Sequence, residues 1–85
     1  MRVINQIEIL GSGCSKCSAL EKTTEKAIKE LNISADLTKV NEIDKILEFG
    51  ILRTPGLVIN GKVILSGENP GLDKIKQLLK ENIIS

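Results

Sequence analysis

The stretch Leu10–Lys22 reads LGSGCSKCSALEK and contains the two cysteines of the chain, Cys14 and Cys17. An apolar segment precedes its glycines, and an amphipathic segment follows them. We therefore predict that the cysteine pair lies where a strand ends and a helix begins. Two cysteines at this spacing can form a redox pair, clamp a soft metal, or pack as small hydrophobic residues.

The segments around this stretch predict the first four elements. Val3–Leu10 is rich in Val and Ile, which is typical of a strand with one more apolar face, and Cys14–Leu31 has helical periodicity. Ala35–Val40 is a second strand. Asn41–Asp44 is typical of a helix start with an N-cap and early acids, and Gly50 ends that helix. The helical positions expected to face the core are Cys17, Leu20, Ala27, Ile28 and Leu31 in the first helix, and Ile43, Ile46 and Leu47 in the second.

The second half of the chain predicts a hairpin and a last helix. Leu57–Ile59 and Val63–Leu65 are joined by Asn60-Gly61, a dipeptide that accepts the positive φ angles of a tight hairpin turn. Asn69-Pro70 opens the last helix, with Asn as the cap and Pro in the first turn. The buried face of that helix is expected to contain Leu72, Ile75, Leu78 and Leu79.

The order β-α-β-α-β-β-α predicts an α/β fold in which three helices cover a four-stranded mixed sheet. The first two strands are expected to be parallel, with a right-handed crossover, and the closing hairpin is antiparallel. With 85 residues, no repeats and no linker, we expect a single domain over residues 1–85.

Composition excludes several classes of partner. Twelve Lys and Arg balance 11 Asp and Glu, and Phe49 is the one aromatic residue, so neither nucleic acid nor an anionic membrane surface is an expected partner. No apolar run approaches the ~20 residues of a membrane span, and the first residues lack the apolar core of a secretory signal. We expect a cytoplasmic monomer without a cofactor.

The predicted position of Cys14 favours redox chemistry. The first N–H groups of a helix and its dipole stabilise a thiolate, and Lys16 adds a positive charge. Thiolates in such settings have a pKa below the ~8.5 of an ordinary cysteine. Cys17 lies one turn along, on the same face. Cys14 is therefore expected to attack a partner's disulfide, and Cys17 to resolve the mixed disulfide.

Thr54-Pro55 precedes the third strand and is a second candidate site element. A cis proline there would hold the Thr54 backbone beside the cysteines, where its N–H and C=O could pair with a substrate strand. The alternative is a trans proline that begins a strand.

Two other functions stay open at this point. Two thiolates can hold copper(I) or arsenic, whereas structural zinc needs four ligands and the chain has no histidine. A non-catalytic adaptor is the other alternative. Its apolar docking patch would contain Phe49, Ile51, Leu52 and Leu57, unless these residues pack in the core.

The motifs LGSGCSKCSALEK and ILRTPGLVINGKVILSGENP, together with the length, resemble the thioredoxin-like superfamily. More narrowly, they resemble small glutaredoxin-like proteins of archaea and bacteria, often called redox-active disulfide proteins. The resemblance implies thiol–disulfide exchange with client protein disulfides. It makes Cys14 the attacking thiol, Cys17 the resolving thiol and Pro55 the cis proline. Gly13, Lys16 and Thr54 are expected to support this site, by their position and charge and not by the resemblance. Electrons would come from a flavoprotein of thioredoxin-reductase type.

The chain departs from these families at several positions. No Trp precedes Cys14, and Ser15-Lys16 replace the Gly-Pro of thioredoxin. Glu8 lies at the offset of thioredoxin's buried acid, so it is either a proton acceptor or a solvent-facing strand residue. Glutaredoxins hold glutathione with a glycine-rich turn after the hairpin. Here Gly67 matches that turn, and Glu68 brings an adverse charge.

Overall fold

The computed structural model describes residues 4–11, 15–51 and 53–83. These residues form the predicted α/β fold, in the order β-α-β-α-β-β-α, with helices on both faces of a mixed sheet. Val3 and Cys14, the predicted first residues of the first strand and the first helix, lie outside the described residues. The elements are β1 (Asn5–Leu10), α1 (Ser15–Leu31), β2 (Ala35–Val40), α2 (Ile43–Glu48), β3 (Gly56–Ile59), β4 (Lys62–Ser66) and α3 (Leu72–Asn82).

The strands lie in the order β2-β1-β3-β4. β1 is parallel to β2 and antiparallel to β3, and β3 is antiparallel to β4. Leu10, at the end of β1, lies opposite Val40 on one side and Gly56 on the other. The ends of β1 and β2 and the start of β3 therefore meet at one edge of the sheet, which we call the upper edge.

The sheet separates two apolar clusters, as the alternation of β1 predicts. Ile7 and Ile9 point to α1 and α3, whereas Leu10 points to α2. Burying one such side chain stabilises the fold by roughly 1.5–3 kcal/mol. The buried residues of the α1/α3 cluster are Ile7, Ile9, Leu20, Ala27, Leu57, Ile59, Leu65, Ile75 and Leu79, and those of the α2 cluster are Leu10, Ile46, Ile51 and Val58.

The predicted apolar face of α2 is wrong in two of its three residues. Ile46 is buried, but Ile43 is 67% exposed and Leu47 is 53% exposed. The helix has six residues, fewer than two turns, so it presents a single side chain to the sheet. Of the two alternatives for the apolar residues near the site, core packing holds for Ile51 and Leu57, which are buried, and the docking patch does not. Phe49 is half-buried against the α2 cluster, and Leu52 lies outside the described residues.

The predicted ends of the elements are confirmed at glycines and wrong at the asparagine caps. Gly50, with φ 78°, ends α2 and donates its N–H to the Leu47 carbonyl. At the N-termini, Glu42 precedes α2 and Gly71 precedes α3, and neither side chain caps its helix. Asn69 instead accepts a hydrogen bond from Gly71 N, so its side chain closes a turn before α3 begins.

The hairpin turn has the predicted geometry. Asn60 has φ 50° and Gly61 has φ 82°, which are the two positive angles that a two-residue turn of this kind requires.

No helix among the described residues is long and apolar enough to cross a bilayer.

One ion pair connects α1 to α3 and predicts a pH dependence. The hydrogen bond from Lys76 holds the pKa of the exposed Glu30 carboxyl below its ordinary value of 4.5. A carboxyl whose pKa is lowered by folding stabilises the protein at neutral pH, and this contribution disappears as the pH falls through the lowered value.

We therefore expect Glu30→Gln to lower the urea midpoint slightly at neutral pH, and the difference from the parent chain to vanish in acid. Urea titrations across the acidic range measure it. Glu25→Gln, on the exposed side of the same helix, is the control and should show no such trend. Equal pH trends for the two variants would contradict the assignment.

Candidate active site

Gly11 continues the sheet one residue beyond β1. Its N–H donates to the Val40 carbonyl at 2.9 Å, and the residue is buried. By the alternation of the strand, a side chain at this position would point to the α1 face, as those of Ile7 and Ile9 do. The upper edge therefore presents bare backbone to the start of α1.

Cys17 occupies the space that Gly11 leaves open. The side chain of Cys17 is fully buried in the first turn of α1. A Cβ at Gly11 would overlap Cys17 Sγ and would lie 3.0 Å from Cys17 Cβ. A residue larger than glycine at position 11 would therefore displace either the sulfur or the helix.

The sulfur of Cys17 is disulfide-bonded. The chain has one other cysteine, Cys14, which precedes α1 in sequence. Cys14 and the neighbouring Gly13 lie outside the described residues. The described part of the predicted pair is thus a buried, oxidised sulfur at the upper edge of the sheet.

The proline loop comes to the same edge. The Thr54–Pro55 peptide bond is cis. Pro55 is buried, Thr54 is exposed, and Gly56 directly after them pairs with Leu10. This register brings the proline next to the end of β1, where Gly11 and Cys17 meet.

The turn after β4 holds the proline loop in place. Gly67 N donates to the Pro55 carbonyl at 2.7 Å. Gly67 has φ 82°, and a Cβ on it would lie 2.8 Å from Arg53 Cβ. The Arg53 side chain therefore packs directly on the Gly67 backbone, which fixes the loop from two sides. The Gly67 N–H is already used inside the fold, which argues against the glutaredoxin-like use of this turn for a glutathione carboxylate.

The charges around this edge are favourable to an anion. The first turn of α1 contains no acidic residue, and Lys16 in it is exposed. Arg53 is also exposed. A negative charge that develops near the start of α1 would be stabilised by the dipole of the helix and by Lys16.

Glu8 is not brought to the Cys17 sulfur. It shares the α2 face of β1 with Leu10, whereas Cys17 packs on the α1 face. Glu8 is half-buried in a pocket of about 300 Å³, whose other lining residues are Thr38, Lys39, Val40, Asn41, Glu42 and Lys45. Its predicted role as a proton acceptor stays a prediction, and any proton transfer from Cys17 would need an intermediary such as water.

Within residues 4–11, 15–51 and 53–83, no three His, Cys, Asp or Glu side chains are grouped as a metal site. The metal-carrier alternative therefore depends on Cys14, outside those ranges.

Comparison with known proteins decides the family. Residues 5–80 match the family described as thioredoxin domain. The chain belongs to the thioredoxin domain family. This match spans the whole described sheet and most of α3, and it confirms the resemblance to the thioredoxin-like superfamily.

Two curated relatives from archaea support this membership in the thioredoxin family. A protein named thioredoxin from Methanothermobacter thermautotrophicus is 40% identical over 74 residues, which cover 87% of this chain and 96% of the relative. Another protein named thioredoxin, from Methanocaldococcus jannaschii, is 35% identical over 80 residues, with 94% and 92% covered. The likeness therefore extends over nearly the full length of both relatives.

The sequence analysis missed Gly11 and Arg53 as contributors to the site, and it considered Gly67 only as a glutathione-binding turn and not as the residue that holds the proline loop. A glycine directly after a buried strand and a glycine directly after a hairpin are the signals that could have indicated them. Neither signal identifies the contacting residue, because the contacts depend on how the helix and the loop pack on the sheet.

The contact between Gly11 and Cys17 predicts a coupled pair of substitutions. Under reducing conditions, Gly11→Ala should lower the free energy of unfolding by about 1–3 kcal/mol, because the added methyl group overpacks the space beside the sulfur. Removing that sulfur with Cys17→Ala should relieve much of the loss. A double-mutant cycle by urea unfolding should then give a coupling energy of about 1 kcal/mol or more.

Gly56→Ala is the matched control for this cycle. Its Cβ would meet the mobile end of Ile51, at 2.7 Å from Cδ1, and not Cys17. Its effect should add to that of Cys17→Ala within about 0.5 kcal/mol. Additive effects of Gly11→Ala and Cys17→Ala would contradict the described packing.

Proposed function

We propose that this chain exchanges thiols and disulfides with client proteins, using Cys14 and Cys17 as its reacting pair. The observation that carries the proposal is the buried, disulfide-bonded Cys17 at the sheet edge where the cis Thr54–Pro55 bond lies. Membership in the thioredoxin family and two relatives named thioredoxin support it.

Burial separates the roles of the two cysteines. The Cys17 side chain is enclosed between α1 and the end of β1, so a client disulfide does not reach its sulfur directly. Cys14 precedes the first residue of α1, where a thiolate would benefit from the unpaired N–H groups and from the nearby Lys16. Cys14 is therefore the attacking thiol, and Cys17 is the resolving thiol.

The reaction proceeds in two exchanges. The Cys14 thiolate attacks a client disulfide, which forms a Cys14–client disulfide and releases one client thiolate. The Cys17 thiolate then attacks Cys14 Sγ, which forms the Cys14–Cys17 disulfide and releases the second client thiolate. The client gains two electrons, and its two thiolates take up protons. A flavoprotein of thioredoxin-reductase type returns two electrons to the chain.

The proline loop supplies a place for the client backbone. Pro55 has no N–H, and its carbonyl is already bonded to Gly67. Thr54 is exposed, and its backbone groups have no hydrogen-bond partner among the described residues. An extended client segment can therefore form backbone hydrogen bonds with Thr54 and not with Pro55, as a strand does when it is added to a sheet edge.

We also propose a cellular location and an oligomeric state for the chain. It acts as a single domain and as a monomer in the cytoplasm, and its clients are proteins with accessible disulfides. Gly13 and Lys16 support the attacking thiol, Thr54 and Pro55 position the client, and the chain needs no cofactor of its own.

The order of attack predicts which variant captures clients. Cys17→Ser should accumulate mixed disulfides through Cys14, because the resolving thiol is missing, whereas Cys14→Ser should accumulate few. The products can be separated without reductant and mapped by mass spectrometry. Equal capture by both variants would contradict the assigned roles, and capture by neither would remove the support for exchange.

The Pro55–Gly67 clamp predicts a variant with slower exchange and intact thiols. Gly67→Ala would collide with Arg53 and move the proline loop, so exchange with a disulfide-containing protein such as insulin should slow by about tenfold or more. Alkylation of Cys14 by a small reagent should be unchanged, since it needs no client pairing.

Gly61→Ala is the control for backbone strain in this experiment. Gly61 has the same φ of 82° but no neighbour within 4 Å of an added Cβ. It lies in the β3–β4 turn, at the other end of the sheet. Equal slowing by the two variants would show that lost stability, and not the loop, limits the reaction.

A further inference from the structure

The hairpin turn at the lower edge of the sheet, opposite the active site, contains the sequence Asn60-Gly61. In this dipeptide the Gly backbone nitrogen can attack the Asn side-chain carbonyl with little steric hindrance, because glycine has no side chain. The product is a cyclic imide, and asparagine is accordingly a chemically labile residue in warm conditions. The folded chain holds this asparagine in a way that bears directly on the reaction.

The Asn60 side chain is fixed at both of its polar atoms. Its Oδ1 accepts a hydrogen bond from Gln6 N at 2.8 Å, and its Nδ2 donates to Asn5 Oδ1 at 2.9 Å and to the Asn82 carbonyl at 3.5 Å. The Asn60 backbone N–H donates to the Gln6 carbonyl at 2.7 Å. These bonds hold the carboxamide against β1, so they must break before its carbonyl carbon can move to the Gly61 nitrogen.

The hydrogen bonds of Asn5 determine which of its own side-chain atoms faces Asn60. It is 2% exposed, and both its backbone N–H and its Nδ2 donate to the Ser34 carbonyl, at 3.0 and 3.1 Å. With Nδ2 engaged there, Asn5 presents Oδ1 as an acceptor to Asn60. We call the contacts of Asn60 with Asn5 and Gln6 the asparagine clasp.

We propose that Asn60 is a latent deamidation site, which the asparagine clasp closes in the folded chain and which becomes reactive when the clasp opens. The Gly61 nitrogen then bonds to Asn60 Cγ and loses its proton, and the Nδ2 group leaves as ammonia. Water opens the imide at one of its two carbonyls, which gives either an aspartate or an isoaspartate at position 60. The steps consume one water, release one ammonia and involve no change of oxidation state.

The product fits the clasp poorly, so a modified chain does not re-form the original contacts when it refolds. A carboxylate at position 60 has no hydrogen to donate, and it would face the Asn5 Oδ1 and Asn82 carbonyl acceptors. An isoaspartate adds a backbone atom to the two-residue turn, which then departs from the geometry that joins β3 to β4. A chain that is deamidated while the clasp is open is therefore less stable at the lower edge of the sheet after it refolds.

The test measures deamidation of Asn60 by peptide mapping after incubation at mildly alkaline pH. The folded chain is compared with the same chain in denaturing urea, where the clasp is absent. We expect deamidation at Asn60 to be at least about tenfold slower in the folded chain, since the side-chain hydrogen bonds of Asn60 must break before attack. Asn41 precedes a glutamate, whose side chain hinders the attack. In urea its deamidation rate is the internal reference with which the rate at the unhindered Asn60-Gly61 is compared.

Two variants separate the clasp from global stability. Asn5→Ala removes the acceptor of Asn60 Nδ2 and should accelerate deamidation of Asn60 in the folded state. Ile46→Val or Ile46→Ala, in the α2 cluster, is chosen to match its loss of stability and leaves the clasp intact. Asn5→Ala should exceed this control severalfold, because local release adds to global opening.

Three results would overturn the proposal. One is equal deamidation in the folded and unfolded chain, and another is equal deamidation in Asn5→Ala and the matched control. The third concerns the product. Asn60→Asp should lower the urea midpoint relative to the parent chain, and an unchanged midpoint would show that the product fits the clasp as well as asparagine does. None of these outcomes depends on the proposed thiol chemistry.

Discussion

The contact of the Cys17 sulfur with the bare backbone of Gly11 determines how the first helix sits on the sheet. The sulfur is fully buried, and the space it fills exists because position 11 has no Cβ. This contact joins the first turn of α1 to the end of β1. The sheet register then brings Gly56 opposite Leu10, so the cis Thr54–Pro55 bond comes to the same edge. Packing and strand pairing thus bring a disulfide-bonded cysteine, a helix start and an exposed backbone segment to one edge of the sheet.

The two edges of the sheet are built from different interactions. At the upper edge, glycines allow close approach, and the backbone bond from Gly67 to Pro55 holds the loop without a polar side chain. At the lower edge, the side chains of Asn5 and Asn60 make the bonds. At the upper edge the Thr54 backbone groups have no hydrogen-bond partner among the described residues, whereas at the lower edge both polar side-chain atoms of Asn60 are bonded. The proposed function places the client at the upper edge.

Local patterns predicted those parts of the fold that depend on neighbours in sequence. The order of elements follows from hydrophobic periodicity, and the turns at Gly50 and at Asn60-Gly61 follow from the need for positive φ. The exposure of Ile43 and Leu47 was not predictable from their spacing, because it depends on how much sheet a six-residue helix covers. Likewise, Asn5 reads as an ordinary polar strand position until Asn60 is brought beside it. Among the described residues of the candidate site, the sequence pointed to Cys17 and Thr54-Pro55 but not to the close approach of Gly11, and Cys14 stays a prediction.

Alkylation as a function of pH distinguishes an attacking thiol at Cys14 from a resolving thiol at Cys17. The reduced, metal-free protein is treated with iodoacetamide, and each cysteine is followed by mass spectrometry. We expect Cys14 to react fast, with an apparent pKa well below the ~8.5 of an ordinary thiol, and the buried Cys17 to react more slowly. Equal reaction of both cysteines, at ordinary thiol pKa values, would contradict this assignment.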